Sequence, residues 1–405
     1  MVKRSFSNPL SGVLLVAGLL LASATTHATS YTFVDLGMLP DGSTSEGKAI
    51  NASMRVTGVS TVTIYNGHHA FCWRSGDPML DLGALASDEW WETSRGYDIN
   101  ASGQVTGRSG GTGNFHPFLW TDLNGNFQKD AGEMTDVGTL GGTRGIGYGV
   151  NDSGHVAGYA YVTGDSAYRA FLWVDADNDR AGDPGEMRDL GTLEVGGNYG
   201  LHSKAWAVSN DDHVVGEAQI PNGSMRAFIW EDNTMTNLGA LIGANSSCAR
   251  DLNEAVDTVV GYSMGTTSAP TVWTKSGGTW SKSQLPKLVL GNADAYGIND
   301  NGQIVGYSMS SDPLGAHAVI WENGIITDLN SVIVNLPDNV IVVQAQDINN
   351  YGVIVATCSV PTGEGYRYTH ACILTPVQTP IPEPATMLLV AAGTGGFMWL
   401  RRRRR

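Results

Sequence analysis

The chain has 405 residues, of which 16% are charged, 52 are glycine and 11 are tryptophan, and its formal net charge is −15. Without Lys3, Arg4, Glu383 and the five final arginines, 17 basic and 38 acidic residues remain, which gives the central part a charge of −21. An excess of this size repels phosphate backbones, so we exclude nucleic acid as a partner and expect cations or neutral polymers.

Residues 1–28 have the layout of a secretory signal peptide. Two basic residues precede an apolar run over 13–22, and small residues follow it around 26–28. The apolar run is shorter than the roughly 17 to 25 residues that a membrane-spanning helix needs. We therefore predict export and removal of the segment after Ala24 or Ala28.

Residues 31–376 repeat one unit seven times. Each copy begins with an element such as DINASGQVTG, continues with a short apolar run that ends in tryptophan in six copies, and in most copies closes with an Asp-Leu-Gly element. The unit contains four short strand candidates, joined by tight turns. The second residues of the seven opening elements are Ile50, Ile99, Val150, Val208, Leu252, Ile298 and Ile348.

Four strands recurring at this spacing are the signature of a β-propeller blade, which buries both faces against its neighbours. We predict an all-β fold of seven four-stranded blades, with an open β-solenoid or a ring of six or eight blades as alternatives. The repeat tryptophans are interpreted as core packing rather than sugar-stacking groups. They are Trp73, Trp120, Trp173, Trp230, Trp273 and Trp321.

The two ends of the repeat region complement each other. The seventh copy lacks the Asp-Leu-Gly strand, and a solitary strand of that kind, YTFVDLGML, starts at Tyr31 before the first copy. We predict that residues 31–36 supply the outer strand of the last blade and so close the ring. Residues 330–344 are interpreted as an insertion between blades.

The HAF triplet at 69–71, followed by Trp73 and by Asp-Leu-Gly-Ala-Leu at 81–85, resembles the extracellular HAF repeat family. The resemblance covers nearly all of 31–376 and implies a secreted repeat architecture without a defined chemistry. Some copies depart from the triplet, with Arg169 and Arg226 in place of His and Pro117 in place of Ala.

A basic residue stands before the Ala-Phe pair in most copies. A metal site would need these residues to converge, but they alternate between His and Arg and start a strand in separate blades. We interpret them as structural hydrogen-bond donors. They are His69, His116, Arg169, Arg226, His317 and His370.

Two linkers between the third and fourth strands, 122–133 and 175–186, have the spacing of a calcium loop. Side-chain oxygens fall at positions 1, 3, 5, 9 and 12, and a backbone carbonyl is available at position 7. Phe127 and Arg180 stand at position 6, where such loops normally have glycine, and a solvated acidic turn is the alternative. The predicted Ca²⁺ ligands are Asp122, Asn124, Asn126, Gln128, Asp130 and Glu133 in the first loop, and Asp175, Asp177, Asp179, Ala181, Asp183 and Glu186 in the second.

Four cysteines occur in a chain that we expect to reach an oxidising compartment. Cys358 and Cys372 flank a turn-like segment and form the candidate disulfide, whereas Cys72 and Cys248 lie in distant repeats and are predicted to be small buried hydrophobes. The sequence has no Cys-x-x-Cys pair, so we predict no zinc or thioredoxin-type site.

No metalloprotease HExxH and no phosphate-binding loop occurs in the chain. A propeller glycosidase would require two carboxylates facing each other across the central channel. We therefore predict a non-catalytic binding or scaffold module that contacts polysaccharide or another protein, without a catalytic residue. The alternatives are a polysaccharide-active hydrolase or lyase, and a carbohydrate-binding lectin.

The tail joins a linker, 377–384, to sixteen mostly apolar residues at 385–400 and five arginines. Pro382, Glu383 and Pro384 with the short helix and the arginines resemble the PEP-CTERM sorting signal. That resemblance implies recognition by an exosortase, a membrane-embedded enzyme of bacteria that make extracellular polysaccharide.

Residues 385–400 are only marginal for a lasting anchor, and the arginines favour the cytoplasmic side. We predict transient membrane insertion through residues 385–400 and an inner-membrane intermediate. The final location is then the cell surface or the extracellular matrix of a Gram-negative type bacterium. A single-pass tail anchor that includes the whole of 385–405 is the alternative.

Overall fold

The computed structural model describes residues 29–377, with gaps at 63–66, 86–92, 112, 184, 196, 314 and 363–364. This part of the chain consists of strands and two 3-10 turns, Thr163–Asp165 and Leu329–Ser331. It contains no helix long and apolar enough to cross a membrane. The predicted signal peptide, the sorting residues Pro382, Glu383 and Pro384, and the terminal helix lie outside the described residues.

Thirty short strands follow one another along the described chain. The first thirteen are β1 (Tyr31–Gly37), β2 (Ser45–Ile50), β3 (Val56–Val62), β4 (Gly67–Trp73), β5 (Leu80–Gly83), β6 (Ser94–Ile99), β7 (Val105–Gly110), β8 (Phe115–Trp120), β9 (Met134–Asp136), β10 (Gly141–Val150), β11 (Val156–Val162), β12 (Tyr168–Trp173) and β13 (Met187–Asp189). The next ten are β14 (Glu194–Val195), β15 (Asn198–Tyr199), β16 (Ser203–Val208), β17 (Val214–Gln219), β18 (Met225–Glu231), β19 (Thr234–Asn237), β20 (Ser246–Leu252), β21 (Thr258–Met264), β22 (Ser268–Ser276) and β23 (Thr279–Gln284). The last seven are β24 (Ala293–Ile298), β25 (Ile304–Met309), β26 (Ala316–Glu322), β27 (Ile325–Asp328), β28 (Ile341–Ile348), β29 (Ile354–Pro361) and β30 (Arg367–Pro376).

The strands form an all-β propeller with five separate four-stranded blades among the described residues. Four of these are β2 to β5, β16 to β19, β20 to β23 and β24 to β27, and the fifth contains β28 to β30 with β1. Strands β6 to β13 form one eight-stranded sheet, because the long β10 reaches β8 through a parallel bridge between Arg144 and Phe115. The prediction of seven separate blades is therefore not met, since the second and third copies share a sheet.

The predicted closure of the ring is confirmed. Strand β1 pairs antiparallel with β30, with Tyr31 opposite Pro376 and Gly37 opposite Ala371. The insertion covers the other edge of β1, where the Tyr31 N–H donates to the Val332 carbonyl at 2.9 Å. The insertion ends before Gln344, which already belongs to β28. The outer edge of β1 is thus covered at Tyr31 and Phe33, which limits the backbone that this edge strand exposes.

The core lies between blades, as the tryptophans predict. Trp120, Trp173, Trp230, Trp273 and Trp321 are buried, and Trp73 packs half-buried against its own core cluster. Because their faces are covered by neighbouring sheets, these indoles are packing groups rather than sugar platforms.

A recurrent serine ties each of four inner strands to the preceding copy. The hydroxyl of Ser94 accepts a hydrogen bond from the Ala70 N–H at 2.8 Å and donates to the Gly83 carbonyl. Ala70 belongs to the HAF triplet and Gly83 to the Asp-Leu-Gly element. The two hydrogen bonds of the serine therefore connect two of the recurring sequence elements. The equivalent serines are Ser45, Ser203 and Ser247.

The cysteines are buried free thiols in the described structure. Burial raises the pKa of Cys72 to about 12, and Cys248 is equally buried, which confirms both as small core residues. Cys358 lies opposite His370 and Cys372 opposite Ala356, so the two thiols are diagonal neighbours on β29 and β30. Burial and the neighbouring Cys358 raise the pKa of Cys372 well above its usual value, and a disulfide between these two cysteines stays a prediction.

The closing strand should carry much of the stability. Phe33 is 6% exposed whereas its neighbour Val34 is 44% exposed, so the pair provides a matched test. We expect Phe33→Ala to lower the free energy of unfolding in urea by about 3–5 kcal/mol, because it leaves a cavity in the closure. Val34→Ala should change it by no more than about 0.5 kcal/mol. Equal effects of the two changes would contradict the closure.

Candidate functional site

Seven side chains surround one end of the central channel. Each lies on the innermost strand of its copy, two residues before the apolar residue of the repeated element, and we name this set the mouth ring. Together with Gln344 they line a cavity of about 290 Å³. The mouth ring consists of Lys48, Tyr97, Tyr148, Trp206, Arg250, Tyr296 and Gln346.

Crowding at the axis forces these side chains into the channel. Alternate residues of a strand point to opposite faces, and the residue next to each mouth-ring position is small. A Cβ added at Gly96 would collide with the Oγ1 atom of Thr57 in the preceding copy, and one at Gly147 would collide with that of Thr106. Only the channel face has room for large side chains, so the aromatic and basic residues lie there.

The aromatic members pack against one another. The Tyr97 and Tyr148 ring centres are 4.9 Å apart, and those of Tyr148 and Trp206 are 4.2 Å apart. The Arg250 guanidinium carbon lies 3.8 Å from the Trp206 ring centre, so the indole is enclosed between a tyrosine and an arginine. The Trp206 Nε1 and Arg250 Nε atoms are shielded from solvent and have no hydrogen-bond partner.

Burial keeps the mouth tyrosines in their neutral form. Burial and the neighbouring Tyr97 and Tyr159 raise the pKa of Tyr148 far above its usual value, and burial raises the pKa of Tyr159 to about 12. Burial also raises the pKa of Asp294, whose Oδ1 atom has no partner. The mouth therefore offers neutral hydroxyl and amide groups beside its cationic side chains.

The opposite end of the channel is a ring of blade-to-blade hydrogen bonds around a cavity of about 260 Å³. The Asn51 amide donates to the Asn100 carbonyl at 2.9 Å, Asn100 donates to Asn151 at 2.9 Å, and Asn349 donates back to Asn51 at 3.0 Å. The asparagine of the repeated element is thus a link between copies. In the fourth copy Ser209 takes this place.

Three aspartates occupy one position of the inner strands and face this cavity. Each carboxylate accepts one N–H from its own strand and one from the following copy, as Asp98 does from Ile99 and Val150 at 2.8 Å. Asp251 and Asp347 have the same arrangement. Burial, with a smaller effect of Asp347, raises the pKa of Asp98 to about 7. These carboxylates line the channel but act as structural acceptors.

The two predicted calcium loops have the backbone that the motif requires. Phe127 and Arg180 adopt φ values of 54° and 68°, the left-handed conformation that glycine provides at position 6 in such loops. The Phe127 N–H donates to Asp122 Oδ2 at 3.1 Å, and the Arg180 N–H donates to Asp175 Oδ2 at 3.1 Å. In both loops the other oxygen of the first aspartate, Oδ1, is shielded and has no partner.

The acidic side chains converge more closely in the second loop. Asp175, Asp177 and Glu186 place oxygens within 4.8 Å of one another, and so do Asp177, Asp179 and Asp183. The neighbouring Asp179 is the main cause of a raised pKa at Asp183. Carboxylates held this closely repel one another, and a hard cation with oxygen ligands would relieve that repulsion.

The first loop relieves its repulsion internally. The side-chain amides of Asn124 and Asn126 donate to Asp130 at 2.7 and 2.8 Å and lower the pKa of that carboxyl. Glu133 and its counterpart Glu186 accept backbone N–H groups from positions 2 and 9 of their loops. Carboxylate oxygens keep further lone pairs for a metal in this arrangement. The carboxylates of the second loop converge as a cation site requires, and calcium ligation by the first loop, like the roles of Gln128 and Ala181, stays a prediction.

The residues at position 6 explain the departure from glycine. Phe127 is buried beneath Arg74 of the first copy, whose guanidinium lies 4.0 Å from the ring centre. Arg180 donates to the Glu133 carbonyl and to Thr135 Oγ1, both at 3.1 Å, in the second copy. Each loop therefore packs against the preceding copy, a role that the sequence pattern did not reveal.

The interpretation of the repeated histidines as structural is confirmed. In four copies the Nδ1 atom lies 2.7 to 2.8 Å from the aspartate of the Asp-Leu-Gly element in the same sheet. These pairs are His69 with Asp81, His116 with Asp136, His317 with Asp328, and His370 with Asp35.

Two Gly-x-Ser-x-Gly strings, at 107–111 and 261–265, match a nucleophile motif in letters alone. Their serines lie on β7 and β21, in antiparallel sheets, without the strand-to-helix turn that exposes such a nucleophile. Ser109 accepts the Leu85 N–H at 2.8 Å and Ser263 accepts the Leu241 N–H at 3.1 Å. Both hydroxyls are engaged in holding neighbouring segments.

A family model described as a protein of unknown function, DUF3466, matches residues 74–371. The chain belongs to the DUF3466 family. A PEP-CTERM protein-sorting motif matches residues 380–404 of the same DUF3466 chain, which confirms the predicted sorting signal. The matches do not show the HAF repeat family, and no curated protein matches the chain.

Solved structures resemble the DUF3466 fold at low identity. A prolyl endopeptidase structure has 10% identity and a TM-score of 0.50, covering 85% of this chain and 51% of its own. TolB from Acinetobacter baumannii has 10% identity and a TM-score of 0.42, with coverage of 80% and 64%. The polysaccharide lyase Uly1 has 10% identity and a TM-score of 0.49, with coverage of 89% and 94%. The chain thus spans less than two thirds of the TolB and endopeptidase chains, and these similarities concern the fold alone.

The channel aspartates make the stability of this DUF3466 protein depend on pH. A folded-state pKa of about 7 for Asp98 lies above the unfolded value, so the folded chain holds the extra proton at lower pH. The contribution of protonated Asp98 to the free energy of unfolding is complete below about pH 4, and it is lost as the pH rises through 7. We expect the free energy of unfolding in urea to fall between pH 5 and pH 7.

The matched variants isolate this effect. Asp98→Asn should reduce the slope of the free energy of unfolding against pH by up to about 1.4 kcal/mol per pH unit, whatever its effect on absolute stability. Asp338→Asn, which removes an exposed carboxylate from the insertion, should leave the slope unchanged. An Asp98→Asn slope equal to that of the unmodified protein would refute a protonated Asp98.

Proposed function

We propose that this protein is an exported, exosortase-sorted surface or matrix propeller that binds an extracellular ligand without transforming it. The observation that carries this proposal is that most acid–base groups of the repeats are hydrogen-bonded within the protein, while some donors at the channel mouth are not. Carboxylates, histidines and serines of the repeats are engaged in structural hydrogen bonds, whereas Trp206 and Arg250 at the channel mouth keep unengaged donors. A site with free donors and engaged acid–base groups suits recognition better than catalysis.

The sorting motif at 380–404 supports the proposed location. Exosortase is the partner during export, with residues 385–400 as a transient membrane segment and the Pro382–Pro384 motif as the recognition element. The processed body then resides at the cell surface or in the matrix of a Gram-negative type bacterium. Extracellular polysaccharide or another surface protein is the lasting partner.

The propeller is best counted as seven blades, with the eight-stranded sheet acting as two. Each half of that sheet contains its own four strands, and only the bridge between Arg144 and Phe115 joins them. The asparagine links pass from the first copy to the second and from the second to the third, as they do between separate blades. Seven equivalent inner strands would then line the channel.

Calcium is proposed to stiffen the second and third copies. The support is the left-handed position 6, the unpartnered Oδ1 atoms of Asp122 and Asp175, and the close carboxylates of the second loop. Because each loop also packs against the preceding copy, an ion there would fix the relative position of three consecutive repeats. The ligand roles are those of the two loops as predicted from the sequence.

A polysaccharide-active hydrolase or lyase is the second candidate. Asp98, Asp251 and Asp347 face one channel cavity, and burial raises the pKa of each carboxyl. A glycosidase needs a pair of carboxyl groups of this kind. The two backbone N–H groups held by each carboxylate count against the candidate, since they occupy the atoms that catalysis would use.

Binding and catalysis are separated by measuring both on the same exported protein. We expect retention of a polysaccharide on a glycan array with no release of reducing ends after prolonged incubation, because the channel carboxylates are already bound to backbone groups. Release of reducing ends or of unsaturated products, abolished by Asp98→Asn, would replace the binding proposal by the enzyme proposal.

Calcium binding is tested by calorimetric titration of the protein freed of divalent ions. We expect two sites and a rise in melting temperature, equivalent to about 2.7 kcal/mol for each site when calcium is 100-fold above its dissociation constant. Glu186→Gln should remove one site and leave the other, whereas Asp338→Asn should leave both. No heat and no stabilisation at millimolar calcium would end the calcium proposal.

A further inference from the structure

We propose that the channel mouth binds an acidic sugar residue, one whose ring bears a carboxylate or a sulfate group, within an extracellular polysaccharide. The inference rests on the proposed binding function and names the chemistry of its ligand.

Arg250 is a cation without a counter-ion contact. Its guanidinium stacks on Trp206, and no ion pair or hydrogen bond joins it to a carboxylate among the described residues. Glu217 and Asp294 act on Arg250 through space, but Glu217 is 3.7 Å from the ammonium of Lys204 instead. A shielded guanidinium is costly unless an anion pairs with it, and its planar fork matches a carboxylate or sulfate.

The Trp206 side chain lines the same cavity beside it. The Trp206 indole has one hydrogen-bonding group, the Nε1–H, which is shielded from solvent and unpartnered. An indole N–H can only donate, so it requires an acceptor atom. Because Trp206 Nε1 and Arg250 Nε are closed to solvent, an acidic ligand would meet Arg250 at the two terminal nitrogens of its guanidinium, with the indole as the supporting surface.

The charge around the mouth is opposite to that of the whole chain. Lys48 and Lys204 are neutralised by Glu46 at 2.9 Å and Glu217 at 3.7 Å. The guanidinium groups of Arg95 and Arg108 act on the Tyr97 hydroxyl and form no ion pair among the described residues. Together with Lys48, Lys204 and Arg250 they outnumber the nearby acidic groups, which are Glu46, Glu217 and Asp294.

This local excess governs what the mouth attracts. Salt screens exposed charges beyond about 8 Å, so the acidic outer surface has little influence inside the channel. The net charge of −15 favours cations and neutral polymers as partners of the surface as a whole. The mouth instead favours an anion.

The walls of the cavity favour a sugar as the carrier of the negative group. Tyr97, Tyr148 and Tyr296 line the cavity and carry hydroxyl groups that burial keeps neutral, and Gln344 and Gln346 add amides. A volume of about 290 Å³ lies near the lower limit of small-molecule sites, which begins at about 300 Å³. The cavity thus suits one or two hydroxyl-rich rings rather than a protein segment.

The test compares three galactose-based oligosaccharides of equal length by calorimetric titration into the exported protein: an oligogalacturonate, a sulfated galactan fragment and a neutral galactan fragment. We expect one or both acidic forms to bind at least tenfold more tightly than the neutral form. The stronger of the two identifies the carboxylate or the sulfate as the recognised group.

Variants assign the binding to the mouth. Arg250→Met should lower affinity for the acidic oligosaccharide at least tenfold, Arg250→Lys should lower it less, and Trp206→Phe should lower it about three- to tenfold. Arg188→Met removes an exposed arginine on β13 and should not change it. Melting temperatures identify variants that fail to fold, and the conservative Trp206→Phe then carries the test.

The outcomes separate this inference from the proposed function. Neutral and acidic forms binding equally well, or unchanged acidic binding by a folded Arg250→Met, would overturn the acidic-sugar site and leave polysaccharide binding intact. Binding of none of the three oligosaccharides, while a glycan array retains another polysaccharide, would also overturn it. Absence of binding in both assays would overturn polysaccharide binding as well.

Discussion

The crowding of the inner strands around one axis is the constraint on which the rest of this structure depends. Adjacent copies approach so closely that a Cβ at Gly96 or Gly147 would strike a threonine of the preceding copy. The residue before each mouth-ring position is therefore glycine or alanine, and the larger mouth-ring side chain occupies the channel. The same closeness brings backbone groups of one copy within hydrogen-bond reach of the next, where side chains must satisfy them.

The polar composition of the repeats follows from this requirement. Asparagine amides reach the carbonyl of the following copy, aspartates such as Asp98 accept its N–H groups, and serines such as Ser94 join the preceding copy at two points. All three channel aspartates are used in such bonds. Among the buried polar atoms of the described residues that have no partner, those of Trp206 and Arg250 lie at the channel mouth and the Oδ1 atoms of Asp122 and Asp175 lie at the start of the two loops.

Sequence patterns predicted the local features well. The strand order, the closure of the ring by β1, the buried tryptophans and the structural histidines all depend on short motifs whose letters recur at fixed positions. Contacts between copies were harder to predict from the sequence. The shared sheet arises because β10 extends beyond its usual start, and Cys358 and Cys372 stand in a diagonal register that their spacing along the chain did not reveal. Neither the reach of β10 to β8 nor the register between β29 and β30 can be predicted from a local sequence pattern.

The mouth ring was missed although a signal was present. A large aromatic, basic or amide residue stands two positions before the apolar residue in all seven copies, but the residue type varies, and a search for identical letters passes over it. The absence of glycine at position 6 of the two loops was also difficult to interpret from the sequence. Glycine is expected there for its left-handed backbone, yet Phe127 and Arg180 adopt that conformation because each is held against the preceding copy.

The sequence by itself determined the repeat, its strands, the ring closure and the sorting tail, because these depend on periodicity and on motifs read along one stretch of chain. It also determined that the whole chain is acidic, since net charge is a sum over residues. Only the tertiary structure decided that Arg250 stacks on Trp206 without a counter-ion inside that acidic chain. The pairing of a charge depends on which groups lie within a few ångströms of it. At the channel mouth those neighbours come from different inner strands, so they are known only from the folded structure.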